Sequence, residues 1–136
     1  MRTAIDTSVL LDLLVDDPGY ARASEAALRS AAGEGALLIS ECVLAELAPS
    51  FASEAELDEF LSDLQLQFVP SSRESAFLAG SMFRSYLARR PARGGRRVVA
   101  DFLIGAHARC LADRLLARDR GYYRDYFKGL RLLEPG

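Results

Sequence analysis

Short apolar runs of strand length, separated by stretches with helical spacing, constrain this chain most. TAI at 3–5, ALLIS at 36–40, QFV at 67–69, LLA at 115–117 and LRLLE at 130–134 are each too brief for a helix of ordinary length. ALLIS is continuous rather than alternating, as expected of a strand buried on both faces. Between them lie helical segments. Ser8 is placed to cap a helix reaching about Val15, stopped by DDPG at 16–19. Residues 20–32 are alanine-rich and closed by Gly33 and Gly35, and a helix over about 41–48 precedes Pro49. SEAELDEFLSDL at 53–64 opens with a capping-box pair, Ser53 and Glu56, and puts Leu57, Phe60, Leu61 and Leu64 on one face. Residues 72–89 place Ala76, Phe77, Gly80, Phe83 and Leu87 at core spacing, and 100–112 form another helix. Strands alternating with helices predict an α/β fold with a mainly parallel sheet covered on both faces.

The chain of 136 residues is one domain's length, 1–136, without repeats or a linker. No apolar run reaches the length of a membrane span, and structured sequence begins at once, so no signal peptide is expected. Cys42 and Cys110 stand far apart and His107 is the single histidine, which disfavours a zinc site and is consistent with reduced thiols in a cytoplasmic protein. The net charge of −2 conceals an asymmetry. Residues 1–70 hold thirteen acids and three bases, whereas 71–136 hold fourteen bases and six acids. One face repelling polyanions and another attracting them would give this pattern; drift in solvated surface charge would too.

In parallel sheets, ligands bind beyond the carboxyl ends of the strands. Asp6 ends the first strand, and Asp119 follows the strand LLA after Arg118. Glu41 and Glu46 lie on the helix after ALLIS, and Asp101 opens the helix DFLIGAHARCLA. Carboxylates gathered at one edge repel each other and take up protons unless a cation joins them. Oxygen-only ligands suit Mg²⁺ or Mn²⁺, which serve phosphoryl and phosphodiester chemistry by activating water and clamping oxygens. Each acid also has a plainer reading: Asp6 as a turn former, Asp101 as a helix-dipole partner, Asp119 as a loop acid. Glu41 and Glu46 flank the apolar arc of their helix on opposite edges, and periodicity does not choose between them. Asp12, Asp16, Asp17 and Asp113 read as ordinary solvated acids, and Asp125 as a weaker candidate.

AIDTSVLLDLL, ISECVLAELA, ADFLIGAHA and LLARDRGYYRDYF together resemble the PIN-domain ribonucleases, and most closely the VapC-like toxins of toxin–antitoxin pairs. The resemblance runs over essentially the whole chain. It implies a three-layer α/β/α domain and Mg²⁺- or Mn²⁺-dependent RNA cleavage. Carried over by motif, the acidic site is Asp6, Glu46, Asp101 and Asp119, with Glu46 preferred to Glu41. Thr7 and Ser8 match hydroxyl positions that order metal waters or phosphate. The resemblance also implies a small antitoxin that sends a cationic side chain into the acidic pocket, and a homodimer.

RRPARGGRR at 89–97 is a cationic loop suited to phosphate contacts or simply to solubility. Arg96 and Arg97, just ahead of the Asp101 helix, are the better substrate-binding candidates, together with Arg118 after the last inner strand. Tyr122, Tyr123, Tyr126 and Phe127 would stack on bases or, more commonly, pack a C-terminal segment. His107 reads as a hydrogen-bonded packing residue. Two other classes stay open. A haloacid-dehalogenase-like phosphatase requires a second Asp two residues after the first, where this chain has Ser8. A non-catalytic module would keep the fold for RNA or partner binding.

Overall fold

The computed structural model describes residues 1–15, 19–89, 99–118 and 121–136. In chain order the elements are β1 (Thr3–Ile5), α1 (Thr7–Val15), α2 (Ala21–Glu34), β2 (Leu37–Ile39), α3 (Glu41–Leu47) and α4 (Glu54–Asp63). β3 (Leu66–Phe68), α5 (Arg73–Arg89), α6 (Val99–Leu111), β4 (Arg114–Leu116), α7 (Tyr122–Tyr126) and β5 (Leu132–Leu133) complete them. The strands form one parallel sheet in the order β3-β2-β1-β4-β5 within a three-layer α/β/α fold, as the apolar runs predict. The three inner strands are buried throughout, whereas Phe68 of the edge strand β3 is half exposed. Among the described residues no helix is long and apolar enough to cross a membrane.

This strand order fixes where a ligand can enter. From β1 the chain winds outward through β2 to β3, then crosses back to β4 and β5 on the other side. The winding direction therefore reverses between β1 and β4, and a crevice opens beyond their carboxyl ends. The two strands are in register from Thr3–Arg114 to Ile5–Leu116. The Asp6 backbone N–H then continues the ladder to the Leu116 carbonyl at 2.9 Å.

Three local readings are corrected. Ser8 lies inside α1 rather than capping it: Asp6 takes that role, its Oδ2 accepting from the Ser8 backbone N–H at 3.2 Å. α2 runs through Gly33, and Gly35 alone ends it, at φ 155°. A Cβ on Gly35 would stand 1.9 Å from the Met1 carbonyl oxygen, so both the turn and the close approach of the N-terminus demand glycine. On α5 the expected core face is displaced. Phe77 is 77% exposed and Ala76 and Gly80 face outward, while Ser75, Ala79 and Tyr86 are buried and Phe83 partly so. Ser75 tolerates burial because its hydroxyl bonds locally, to the Ser72 carbonyl at 3.0 Å and from the Ser72 N–H at 2.9 Å. The capping pair at the start of α4 forms as expected: the Glu56 N–H donates to Ser53 Oγ at 3.2 Å, and Glu56 Oε2 accepts from the Ala52 N–H.

α5 and α6 pack together, and α7 closes over α6 through an aromatic cluster centred on buried Phe102. The rings of Phe83, Tyr86, Tyr122, Tyr126 and Phe127 lie 5.2–6.1 Å from it, and such pairs contribute about 0.5–1.5 kcal/mol each. The C-terminal aromatics are thus packing residues. Gly105 of α6 makes room for this contact, since a Cβ there would lie 2.6 Å from Phe127 Cε2. His107 is buried too, its Nε2–H donating to the Val69 carbonyl at 2.6 Å and tying α6 to the segment after β3.

Two outcomes follow from this packing. Gly105→Ala overpacks the α6–α7 contact and lowers stability by about 1–3 kcal/mol, read from urea midpoints. Burial holds the His107 pKa below its usual 6.5, against the bond to Val69 and the charge of Glu41 and in concert with Arg2. The unfolded chain then takes up a proton first as pH falls below 6.5. Stability linked to His107 is complete above that pH and is lost on acidification toward the lower folded value. Urea midpoints between pH 7.5 and 5 should fall more steeply for the wild type than for His107→Gln.

Candidate active site

Beyond β1 and β4 lies a small pocket of about 140 Å³ lined by Asp6, Thr7, Ser8, Leu11, Glu46, Asp101, Arg118, Tyr122 and Tyr123. Each carboxylate arrives from a different element. Asp6 sits between β1 and α1, Glu46 is near the end of α3, and Asp101 is in the first turn of α6. The sheet brings them together because all three positions belong to its carboxyl edge.

Asp6 is the most enclosed of these acids, 6% exposed, and both of its oxygens accept hydrogen bonds. Oδ2 accepts from the Ser8 N–H and the Ser8 hydroxyl, and Oδ1 from the Tyr123 hydroxyl at 2.9 Å. Thr7 Oγ1 donates to Glu46 Oε1 at 2.6 Å, linking α1 to α3. The pocket edge that periodicity left open is therefore occupied by Glu46. Glu41 points elsewhere: its Oε1 accepts from the Ser71 N–H at 2.8 Å. Burial opposes ionisation of Glu41, but hydrogen bonds from Ser71 and from its own backbone, with the charge of His107, hold its carboxyl below the ordinary value.

Tyr123 registers the field of this pocket. Burial, then the negative charges of Asp6 and Asp101, the hydrogen bond to Asp6 and the charge of Glu46 all push its phenol far above the usual value. It is a permanently protonated donor facing three carboxylates. Cys42 on α3 is raised to about 11 by burial and by Glu41 and Glu46, so it is an unreactive thiol.

Arg118 closes one side of the pocket. Its Nη2 lies 2.5 Å from Asp12 Oδ2 and its Nη1 donates to Asp12 Oδ1 at 3.0 Å, a bidentate pair. Nη2 also donates to Ser24 Oγ at 3.3 Å, and the guanidinium carbon stands 3.9 Å from the centre of the Tyr20 ring. Asp12 is consequently not the solvated acid expected of it. An acid interrupting the apolar run VLLDLLV was the available signal that α1 meets a cation there. Asp113 is not simply solvated either, since its Oδ2 accepts from the Arg2 N–H at 2.6 Å. The sequence likewise gave no sign that Tyr123, one aromatic among several, would reach Asp6.

Of the site residues inferred from sequence, Asp6, Glu46, Asp101, Thr7, Ser8 and Arg118 share this pocket. Asp119, Arg96, Arg97, most of the arginine-rich loop and the acids Asp16 and Asp17 lie outside the described residues. The donor set suits a hard divalent cation: carboxylates and hydroxyls line the pocket, and neither His nor Cys does. Among the described residues no three acids, histidines or cysteines converge tightly enough to ligate one ion by themselves.

No curated protein matches the chain in sequence. In fold it is similar to VapBC2 from Rickettsia felis bound to a DNA fragment from their promoter, with 21% identity, a TM-score of 0.70 and 98% of each chain covered. It is also similar to VapBC-1 from nontypeable Haemophilus influenzae, at 15% identity and a TM-score of 0.68 over 98% of each chain. FitAcB from Neisseria gonorrhoeae matches at 20% identity and a TM-score of 0.66, over 98% of this chain and 97% of the other. The PIN domain model matches residues 3–128, a span that contains every carboxylate of the pocket. With that span matched and the carboxylates at the sheet's switch point, the chain belongs to the PIN domain family, whose members are generally nucleases.

Proposed function

We propose that this protein is a Mg²⁺- or Mn²⁺-dependent endoribonuclease acting as the toxin of a toxin–antitoxin pair. The observation that carries the reading is the pocket at the β1–β4 switch point, where Asp6, Glu46 and Asp101 line one wall system with two hydroxyls and a fixed arginine. Asp6, Glu46, Asp101 and Asp119 are assigned to the ion. When bound, the ion lowers the pKa of water and offsets charge on the phosphodiester. Thr7 holds Glu46 in place and Ser8 holds Asp6, so the carboxylates keep their geometry through turnover. Arg118, already fixed by Asp12 and Ser24, presents a cation to a phosphate without first losing side-chain freedom. Arg96 and Arg97 are assigned to flanking phosphates.

An acidic pocket also explains control. A basic side chain from an antitoxin would enter it, neutralise the carboxylates and exclude the ion. The fold likeness to VapBC and FitAB proteins supports such a partner. A homodimer in the cytoplasm is the assembly and location consistent with this reading.

Purified protein freed of partners should cut single-stranded RNA with Mn²⁺ or Mg²⁺ and not with EDTA. Asp6→Asn and Asp101→Asn should each reduce cleavage by at least about 100-fold with melting temperatures preserved; full activity in either variant overturns the assignment. Arg118→Met combined with Asp12→Leu removes the ion pair without stranding a charge. The salt dependence of RNA binding by this double variant should lose about 0.7 from its log–log slope, the share of one single-strand phosphate contact.

A further inference from the structure

We infer that Tyr123 is a positioning residue of this site: its hydroxyl fixes the plane of the Asp6 carboxylate and thereby sets the affinity for the divalent ion. The inference rests on the proposed metal-dependent reading of the pocket. It assigns a role to a residue outside the acidic set.

Tyr123 is 3% exposed and comes from α7, far along the chain from Asp6. Its hydroxyl donates to Asp6 Oδ1, while Ser8 donates to Oδ2 through both its N–H and its hydroxyl. Donors on both oxygens remove rotation about the Cβ–Cγ bond of Asp6. Each carboxylate oxygen has two lone pairs, so the two Ser8 donors fill Oδ2 and one lone pair on Oδ1, beside the Tyr123 hydroxyl, is left for an ion or its waters. The two donors are unequal in kind. Ser8 is local to Asp6, so its bond forms wherever α1 forms. The Tyr123 bond forms only when α7 is docked, and α7 is docked through Phe127 on Gly105 and through the Phe102 cluster, on the same helix that carries Asp101. Tyr123 therefore couples the orientation of Asp6 to the placement of the helix bearing the second carboxylate. Groups that orient a metal ligand from behind typically change affinity or activity by about 10–100-fold when removed.

Tyr123→Phe deletes the hydroxyl and keeps the buried ring. Mn²⁺ binding is titrated calorimetrically without RNA for the wild type, Tyr123→Phe, Asp6→Asn and Tyr126→Phe, the last removing a hydroxyl from the same helix outside the pocket. The expected result is an Mn²⁺ dissociation constant raised about tenfold in Tyr123→Phe, unchanged in Tyr126→Phe, and binding lost in Asp6→Asn. With RNA, Tyr123→Phe should lower kcat about tenfold and leave KM unaltered, with the melting temperature close to the wild type. Wild-type Mn²⁺ affinity and kcat in Tyr123→Phe, with binding still lost in Asp6→Asn, overturn the role of Tyr123 alone. Undiminished binding in Asp6→Asn overturns the metal reading itself, and this inference with it. Should Tyr123→Phe melt well below the wild type, 3-fluorotyrosine at position 123 provides the comparison: it keeps the ring and alters donor strength, and an unchanged Mn²⁺ affinity there also overturns the role.

Discussion

The Asp6 carboxylate is the point on which the rest of this structure depends. Its backbone N–H extends the β1–β4 ladder to Leu116, its side chain caps α1, and its other oxygen receives Tyr123 from α7. One residue thus closes the sheet, starts the first helix and anchors the C-terminal helix while presenting charge to a pocket.

That arrangement also manages repulsion. Asp6, Glu46 and Asp101 line one small pocket, and the charge of all three is felt at the Tyr123 hydroxyl. The protein opposes their mutual repulsion with neutral donors: Ser8 and Tyr123 on Asp6, Thr7 on Glu46. Among the described residues that line the pocket, the cation Arg118 spends its bidentate face on Asp12 instead. Asp6 and Glu46 are therefore oriented by hydroxyl and amide donors on the elements that carry the pocket.

The elements of the fold were legible because burial on both faces makes a parallel strand apolar throughout. TAI, LLI and LLA announce themselves, and the segments between them run to helix length. Two polar residues are buried against expectation because each finds hydrogen-bond partners in the fold. Ser75 is buried on α5 because its hydroxyl bonds within its own turn, so the core face runs through Ser75, Ala79 and Tyr86 rather than through Phe77. Arg114 opens β4 inside the sheet because Thr3 and Glu34 receive its guanidinium. Neither partner lies near enough in sequence to Arg114 to be inferred.

For the site, the sequence by itself determined which residue types stand at strand ends and helix starts: Asp6 after β1, Glu46 on α3, Asp101 opening α6. Those positions follow from chain connectivity, because a parallel sheet carries all its strand ends to one edge. Only the tertiary structure turned Glu41 onto Ser71, gave Asp12 to Arg118 and brought Tyr123 onto Asp6. Those outcomes rest on side-chain directions and on contacts between residues as far apart as Asp6 and Tyr123. Neither periodicity nor motif spacing encodes such contacts, since they are fixed by how α7 settles on the glycine and aromatic face of α6.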